Sequence, residues 1–127
     1  MKTQLTANFY LEEFHCHDGT KIPGHLLPNV EKLTKNLQVL RDEINKPIKI
    51  RSGYRTKNYN NSVGGSPRSQ HLEAKAADIA VIGISPKVLH SIIERLIKQG
   101  KLHDGGLGLY PTFIHYDIRN TPTRWKF

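Results

Sequence analysis

His71 and Asp78, in Ser69-Gln70-His71-Leu72-Glu73-Ala74-Lys75-Ala76-Ala77-Asp78, form a His-x6-Asp pair. His115 and Asp117, in Phe113-Ile114-His115-Tyr116-Asp117, form a His-x-Asp pair further along. Two imidazoles and a carboxylate from separate segments make the donor set of a catalytic zinc, which takes three protein ligands and keeps one position open for water. In an extended strand, side chains two apart share a face. His115 and Asp117 therefore point together beside Phe113, with Ile114, Tyr116 and Ile118 opposite. An imidazole and a carboxylate inside a mostly apolar segment need polar partners; a metal supplies one, and a solvated strand edge is the alternative. Asp78 lies between Ala76-Ala77 and Ile79-Ala80-Val81, a setting that buries it, and a buried carboxylate needs compensation from a metal or an arginine. In Ser52-Gly53-Tyr54-Arg55, the planar fork of Arg55 suits a carboxylate or a developing oxyanion, although alone it also reads as a surface cation.

These residues need elements to hold them. Apolar residues at Val30, Leu33, Leu37, Leu40 and Ile44 predict an amphipathic helix over 29–45, ended before Pro47. Ile48-Lys49-Ile50-Arg51 alternates and predicts a strand. Residues 57–70, rich in Asn, Ser, Gly and Pro, predict a long loop, and loops of that length in compact domains are often functional. Ala76 to Val81 predicts a buried strand with Asp78 at its start. Ser85 as N-cap and Pro86 at the first position open a second helix, with Val88, Leu89, Ile92, Ile93, Leu96 and Ile97 as its apolar face and Gly100 as its C-cap. Gly105 to Tyr110 and Phe113 to Ile118 predict two short strands, with Trp125 packed across the sheet. Residues 1–26, including Phe9-Tyr10-Leu11-Glu12-Glu13-Phe14, predict a short helix or turn that packs aromatics onto the core. The fold class is α+β: a small antiparallel sheet with helices packed on one side, as one domain over residues 1–127.

Composition narrows the partners. Hydrophobic residues make up 37% and charged residues 24%, the balance of a globular chain rather than a disordered one. The net charge of +8 calls for an anionic partner such as nucleic acid, anionic lipid or bacterial wall. The basic residues form no block and match no nucleic-acid motif, so no nucleic-acid partner is expected. No apolar run approaches the ~20 residues of a membrane span. The single cysteine, Cys16, excludes an internal disulfide and reads as a small buried hydrophobe. Nothing in the sequence specifies an oligomer, and a monomer is expected.

Several motifs fall in a recognisable order: Ser-Gly-Tyr-Arg, Val63-Gly64-Gly65, Ser-x-His-x6-Asp, then Gly-x-Gly-x-Tyr-Pro leading into Phe-Ile-His-x-Asp. This order resembles the zinc D-Ala-D-Ala metallopeptidases, the group of bacterial and phage peptidoglycan carboxypeptidases and endopeptidases whose fold is shared with Hedgehog domains. The resemblance covers roughly residues 9 to 125. It implies a Hedgehog/DD-peptidase-like fold and a Zn2+ ion held by His71, Asp78 and His115. It implies that Arg55 holds the substrate carbonyl or the oxyanion, that Ser69 braces the first zinc motif, and that D-Ala-containing peptidoglycan peptides are cut by zinc-activated water. Two departures stand out. Ala74 occupies a position that is usually Gly, and Thr112 occupies one where several relatives carry an acid. Asp117 is thus the candidate for proton handling, or alternatively a residue that orients His115. A catalytically inactive, zinc-stabilised binding module is the alternative function. The N-terminus has no apolar stretch of the secretory type, so the expectation is a phage-encoded enzyme released at the wall or a bacterial one exported by another route.

Other polar clusters read more simply. His15-Cys16-His17 alternates in direction and is a poor metal site. His90 reads as structural within its helix, Glu73 as solvent-facing, and His103-Asp104 as a solvated turn.

Overall fold

The computed structural model describes residues 2–127. In chain order its main elements are α1 (Leu27–Ile44), β1 (Lys49–Ser52), α2 (Lys57–Ser62), β2 (Ala76–Ala80), α3 (Pro86–Lys98), β3 (Gly106–Leu109), β4 (Ile114–Asp117) and β5 (Thr123–Lys126). The fold is α+β, as expected. In α1 the apolar positions Val30, Leu33, Leu37 and Leu40 are buried along one stripe, the spacing that a helix needs to cover a sheet. Asn45 ends it in the left-handed region at φ 51°, with its N–H donated to the Arg41 carbonyl. In α3, Ser85 Oγ accepts the Val88 N–H and Leu89, Ile93 and Leu96 are buried. Val88, counted above with the apolar face, is instead 52% exposed. The left-handed Gly100 follows Gln99, which is the C-cap.

The sheet order is β1-β2-β4-β3-β5. All neighbours are antiparallel except β3 and β5, which run parallel, so the expected antiparallel sheet carries one parallel edge. That edge strand lies in the tail, where the sequence predicts only a packed Trp125. Its alternation is written in Thr123-Arg124-Trp125-Lys126, whose first and third residues are half-buried and whose second and fourth are exposed. Ala77, Ile79, Leu107, Ile114 and Tyr116 turn to one face and join the buried residues of α1 and α3 in a continuous core. Phe9, ahead of the 3-10 turn Leu11–Phe14, and Phe14, its last residue, reach the same core with ring centres 6.3 Å apart.

The opposite face holds the polar residues, and the register sets them in a row. Ser52 lies opposite Asp78, Asp78 opposite His115, His115 opposite Gly108, and Gly108 opposite Trp125. A bulge between Ile50 and Ser52 brings Ser52 into that row, as an extra residue re-aims a strand. Asp78 therefore sits mid-strand in β2 rather than at its start.

The expected loop over 57–70 is only partly a loop, because α2 occupies its first six residues. Thr56 caps it, its Oγ1 accepting the Tyr59 N–H at 3.1 Å. Asn60 is buried within it. The Asn- and Ser-rich composition masks this helix, whose reason for existing is tertiary: it holds Asn60 under Arg55.

Ala74 adopts φ 57° and ψ 29° and is buried in the core. A left-handed backbone costs an L-residue about 1–2 kcal/mol. Glycine would relieve that strain but would lose a buried methyl, about 0.8 kcal/mol, and add ~0.4–1 kcal/mol of unfolded-chain entropy. The terms nearly cancel, which is why alanine is accepted here. Ala74→Gly is expected to shift unfolding free energy by less than about 1 kcal/mol in urea melts.

Candidate metal centre

His71 stands on a 3-10 turn, Gln70–Glu73, capped by Ser69, whose Oγ accepts the His71 N–H at 3.2 Å. The His71 carbonyl accepts the Arg55 N–H at 3.0 Å, tying the turn to the segment after β1. The ring Nδ1 lies 2.7 Å from the Gly53 carbonyl oxygen. A carbonyl only accepts, so Nδ1 carries the proton and Nε2 turns a lone pair inward, 3.2 Å from Asp78 Oδ1.

His115 is fixed in the same way from behind. Its Nε2 lies 2.7 Å from Asp117 Oδ2. Asp117 also accepts from the Gly106 N–H at 2.9 Å, from the Arg119 N–H at 3.1 Å, and from the Arg119 guanidinium at 2.7 to 3.1 Å. A carboxylate with that many donors is ionised and accepts only, so His115 Nε2 carries the proton. Its Nδ1 faces inward, 3.1 Å from the same Asp78 Oδ1. The two rings meet edge to face with centres 5.1 Å apart.

Two imidazole lone pairs and a carboxylate oxygen thus converge, with all the ligand atoms inside 4.8 Å of one another and all three residues buried. Three acceptors facing one another repel unless a cation lies between them. This donor set, with its outer hydrogen bonds already made, fits a metal of the zinc type. Titration follows the same geometry. Burial pushes the Asp78 carboxyl upward, but its close contacts with the His115 and His71 rings outweigh it and hold the group well below the usual carboxylate range. Burial lowers His71; at His115 burial also lowers, but the hydrogen bond to Asp117 and the adjacent Asp78 carboxylate outweigh it and raise the pKa above its ordinary value.

Arg55 reaches the cluster from the β1 side. Its Nη2 donates to Asp78 Oδ2 at 3.2 Å, Nη1 to Asn60 Oδ1 at 3.2 Å, and Nε to Ser52 Oγ at 3.2 Å. Asn60 in turn donates to the Ser66 carbonyl at 2.9 Å. The arginine is thus held in place rather than free on the surface, and it borders a cavity of about 690 Å³ that opens over His71, Asp78 and His115.

Asp117 is placed differently. It is fully buried behind His115 and does not line that cavity. Space for it exists because β3 offers glycine there: a Cβ on Gly106 would overlap the Asp117 carboxylate, and one on Gly108 would overlap the Trp125 indole. Thr112 is exposed in the β3–β4 turn. Among the described residues, Asp78 carries the one side-chain carboxylate bordering the cavity.

The flanking histidines divide as follows. His15 Nδ1 accepts the Ile22 N–H at 3.2 Å, and His17 pairs with the Tyr59 hydroxyl at 3.2 Å. His103, read as a solvated turn, is instead a brace: its Nε2–H donates to the Arg119 carbonyl at 2.7 Å. Glu73 is exposed, as expected, and Cys16 is buried and free. Sequence reasoning missed Gly53, Asn60, Arg119 and Gly106 as partners of the site. Arg119 was within reach, since it continues the alternation of His115 and Asp117; the Gly53 carbonyl carries no side-chain signal at all.

A family model described as Peptidase M15 matches residues 7–117, a span that includes Arg55, His71, Asp78, His115 and Asp117. No curated protein matches the chain. Among the described residues, no helix is long and apolar enough to cross a membrane.

Proposed function

This chain belongs to the peptidase M15 family of zinc D-Ala-D-Ala peptidases, and we propose that it hydrolyses amide bonds in the stem peptides or cross-links of peptidoglycan. The observation that carries this reading is the convergence of His71 Nε2, Asp78 Oδ1 and His115 Nδ1 at the floor of an open cavity, each histidine tautomer set by a partner behind it. Those three atoms would hold Zn2+, which when bound supplies an acidified water and polarises a carbonyl.

The chain's own residues do the rest. Gly53 and Asp117 keep the two imidazoles in the tautomers that present lone pairs inward. We assign Asp117 to positioning, because its acceptor sites are filled by His115, Gly106 and Arg119 and it has no access to the cavity. Arg55, anchored through Asn60 and Ser52, faces the developing oxyanion of a bound amide. The net charge of +8 suits retention on an anionic wall.

The test is digestion of purified peptidoglycan by the zinc-supplemented protein, read by mass spectrometry as new amino and carboxyl ends. New ends that vanish with a chelator support the reading. Intact peptidoglycan that nonetheless retains the protein favours the binding-module alternative, to which the lack of a second cavity carboxylate among the described residues points. Arg55→Ala is expected to keep its metal and lose about 10²–10³-fold in kcat, as removal of an oxyanion partner does. Metal analysis beside steady-state kinetics checks it.

A further inference from the structure

The turn between β3 and β4 carries a phenol into the cavity of the metal centre. Tyr110 borders that cavity, and its ring is held between two others. It stacks on Phe113 with centres 4.4 Å apart and on Phe127 at 4.8 Å. Its N–H donates to the Phe113 carbonyl at 3.1 Å, closing the turn. A side chain clamped in this way has little rotamer freedom left to lose on binding.

Hydrogen-bond accounting sets the role of its hydroxyl. Trp125 Nε1 lies 3.0 Å from Tyr110 Oη. An indole N–H only donates, so the phenol oxygen accepts, and its own O–H remains to be donated. Among the described residues no side chain or carbonyl accepts it. Trp125 is the last residue of the row that includes Asp78 and His115, and its ring lies 4.9 Å from the His115 ring. The uncommitted O–H is therefore one side chain away from the ligand cluster.

The other groups bordering the cavity leave this hydroxyl a distinct place. The imidazoles and the carboxylate among them belong to the cluster, Arg119 is engaged by Asp117, and Arg68, Ser69 and Gln70 border the cavity from the segment leading into His71. Arg55 approaches from the β1 side through Asp78, whereas Tyr110 and Trp125 approach from the β3 and β5 side, beyond His115. An amide laid over the cluster has a fixed cation on one flank and a fixed neutral donor on the other.

We infer that Tyr110 is a catalytic residue whose hydroxyl donates a hydrogen bond to the scissile amide's oxygen as negative charge develops there, opposite Arg55. This rests on the peptidase reading above. No proton changes hands: the phenol stays neutral and stabilises charge by a bond that strengthens in the transition state. Trp125 is a positioning residue, since it occupies the phenol's acceptor site.

Tyr110→Phe keeps the stacked ring and removes only the hydroxyl. Loss of one oxyanion donor lowers kcat by about 10²–10³-fold, so kcat is expected to fall at least about 100-fold with KM near the parent value. Zinc per chain stays unchanged. A second readout does not depend on turnover: a phosphinate analogue of D-Ala-D-Ala is titrated into both zinc-loaded proteins, followed by emission of Trp125, the sole tryptophan. The variant is expected to bind the analogue about 100-fold more weakly and free D-Ala with parent affinity. Parent-like kcat together with parent-like analogue affinity overturns the assignment while leaving the peptidase reading intact. A parent that cuts no peptidoglycan overturns the peptidase reading instead, and the analogue affinities alone then decide whether the hydroxyl faces a bound oxyanion.

Discussion

His71→Ala is expected to eliminate hydrolysis and leave the chain without stoichiometric zinc. The substitution removes one of three inward metal-donor atoms and leaves only Asp78 and His115. Metal-based charge stabilisation is worth several kcal/mol, and each 1.4 kcal/mol is tenfold in rate, so the loss should exceed about a thousandfold. The residue is only 2% exposed, and its Nδ1–H donates to the Gly53 carbonyl. Leaving that carbonyl unpaired costs about 1–3 kcal/mol, so a stability loss will accompany the catalytic one. His71→Gln separates the two, because a carboxamide N–H can still reach Gly53 but is a poor zinc ligand. The glutamine variant is expected to regain much of the stability and none of the turnover, read by urea melts beside kinetics.

Asp117 carries the second large effect, and its two substitutions should behave differently. Asp117→Ala strands the Arg119 guanidinium, the Gly106 N–H and His115 Nε2–H together. Removing one partner of a buried ion pair costs about 3–5 kcal/mol. The low end applies, because Arg119 keeps 28% of its side chain in solvent. Asp117→Asn keeps one oxygen and the shape but loses the charge, so it cannot serve His115 and Arg119 equally well. Loss of such an outer partner lowers metal affinity by about 10–100-fold. With zinc in excess, turnover should stay within about tenfold of the parent if Asp117 only positions His115. Near-complete loss of turnover with zinc still bound would restore the proton-handling role. Chelator competition followed by kinetics at saturating zinc distinguishes the two.

The legible part of this fold was its periodicity. Alternation in 113–118 placed His115 and Asp117 on one face and Ile114 and Tyr116 on the other, and the structure has that division. The stripe of α1 and the N-cap of α3 were equally readable, because local spacing and local hydrogen bonds specify both. What escaped depends on contacts between distant segments. Six residues of α2 look like loop by composition and are helical to hold Asn60 against Arg55. β5 lies at a sheet edge, where a short strand rich in charge gives little apolar signal. The role of Asp117 could not be read either: a strand pattern tells which face a carboxylate shares, but not that Gly106 and Arg119 will close over it.

The most direct measurement is zinc stoichiometry by native mass spectrometry combined with X-ray absorption at the zinc edge on the untagged parent protein. The expected result is one zinc per chain in a light-atom shell of imidazole nitrogen and oxygen near about 2.0–2.1 Å. A chain that takes up no zinc when it is supplied, or a shell containing sulfur from Cys16, would contradict a centre built on His71, Asp78 and His115.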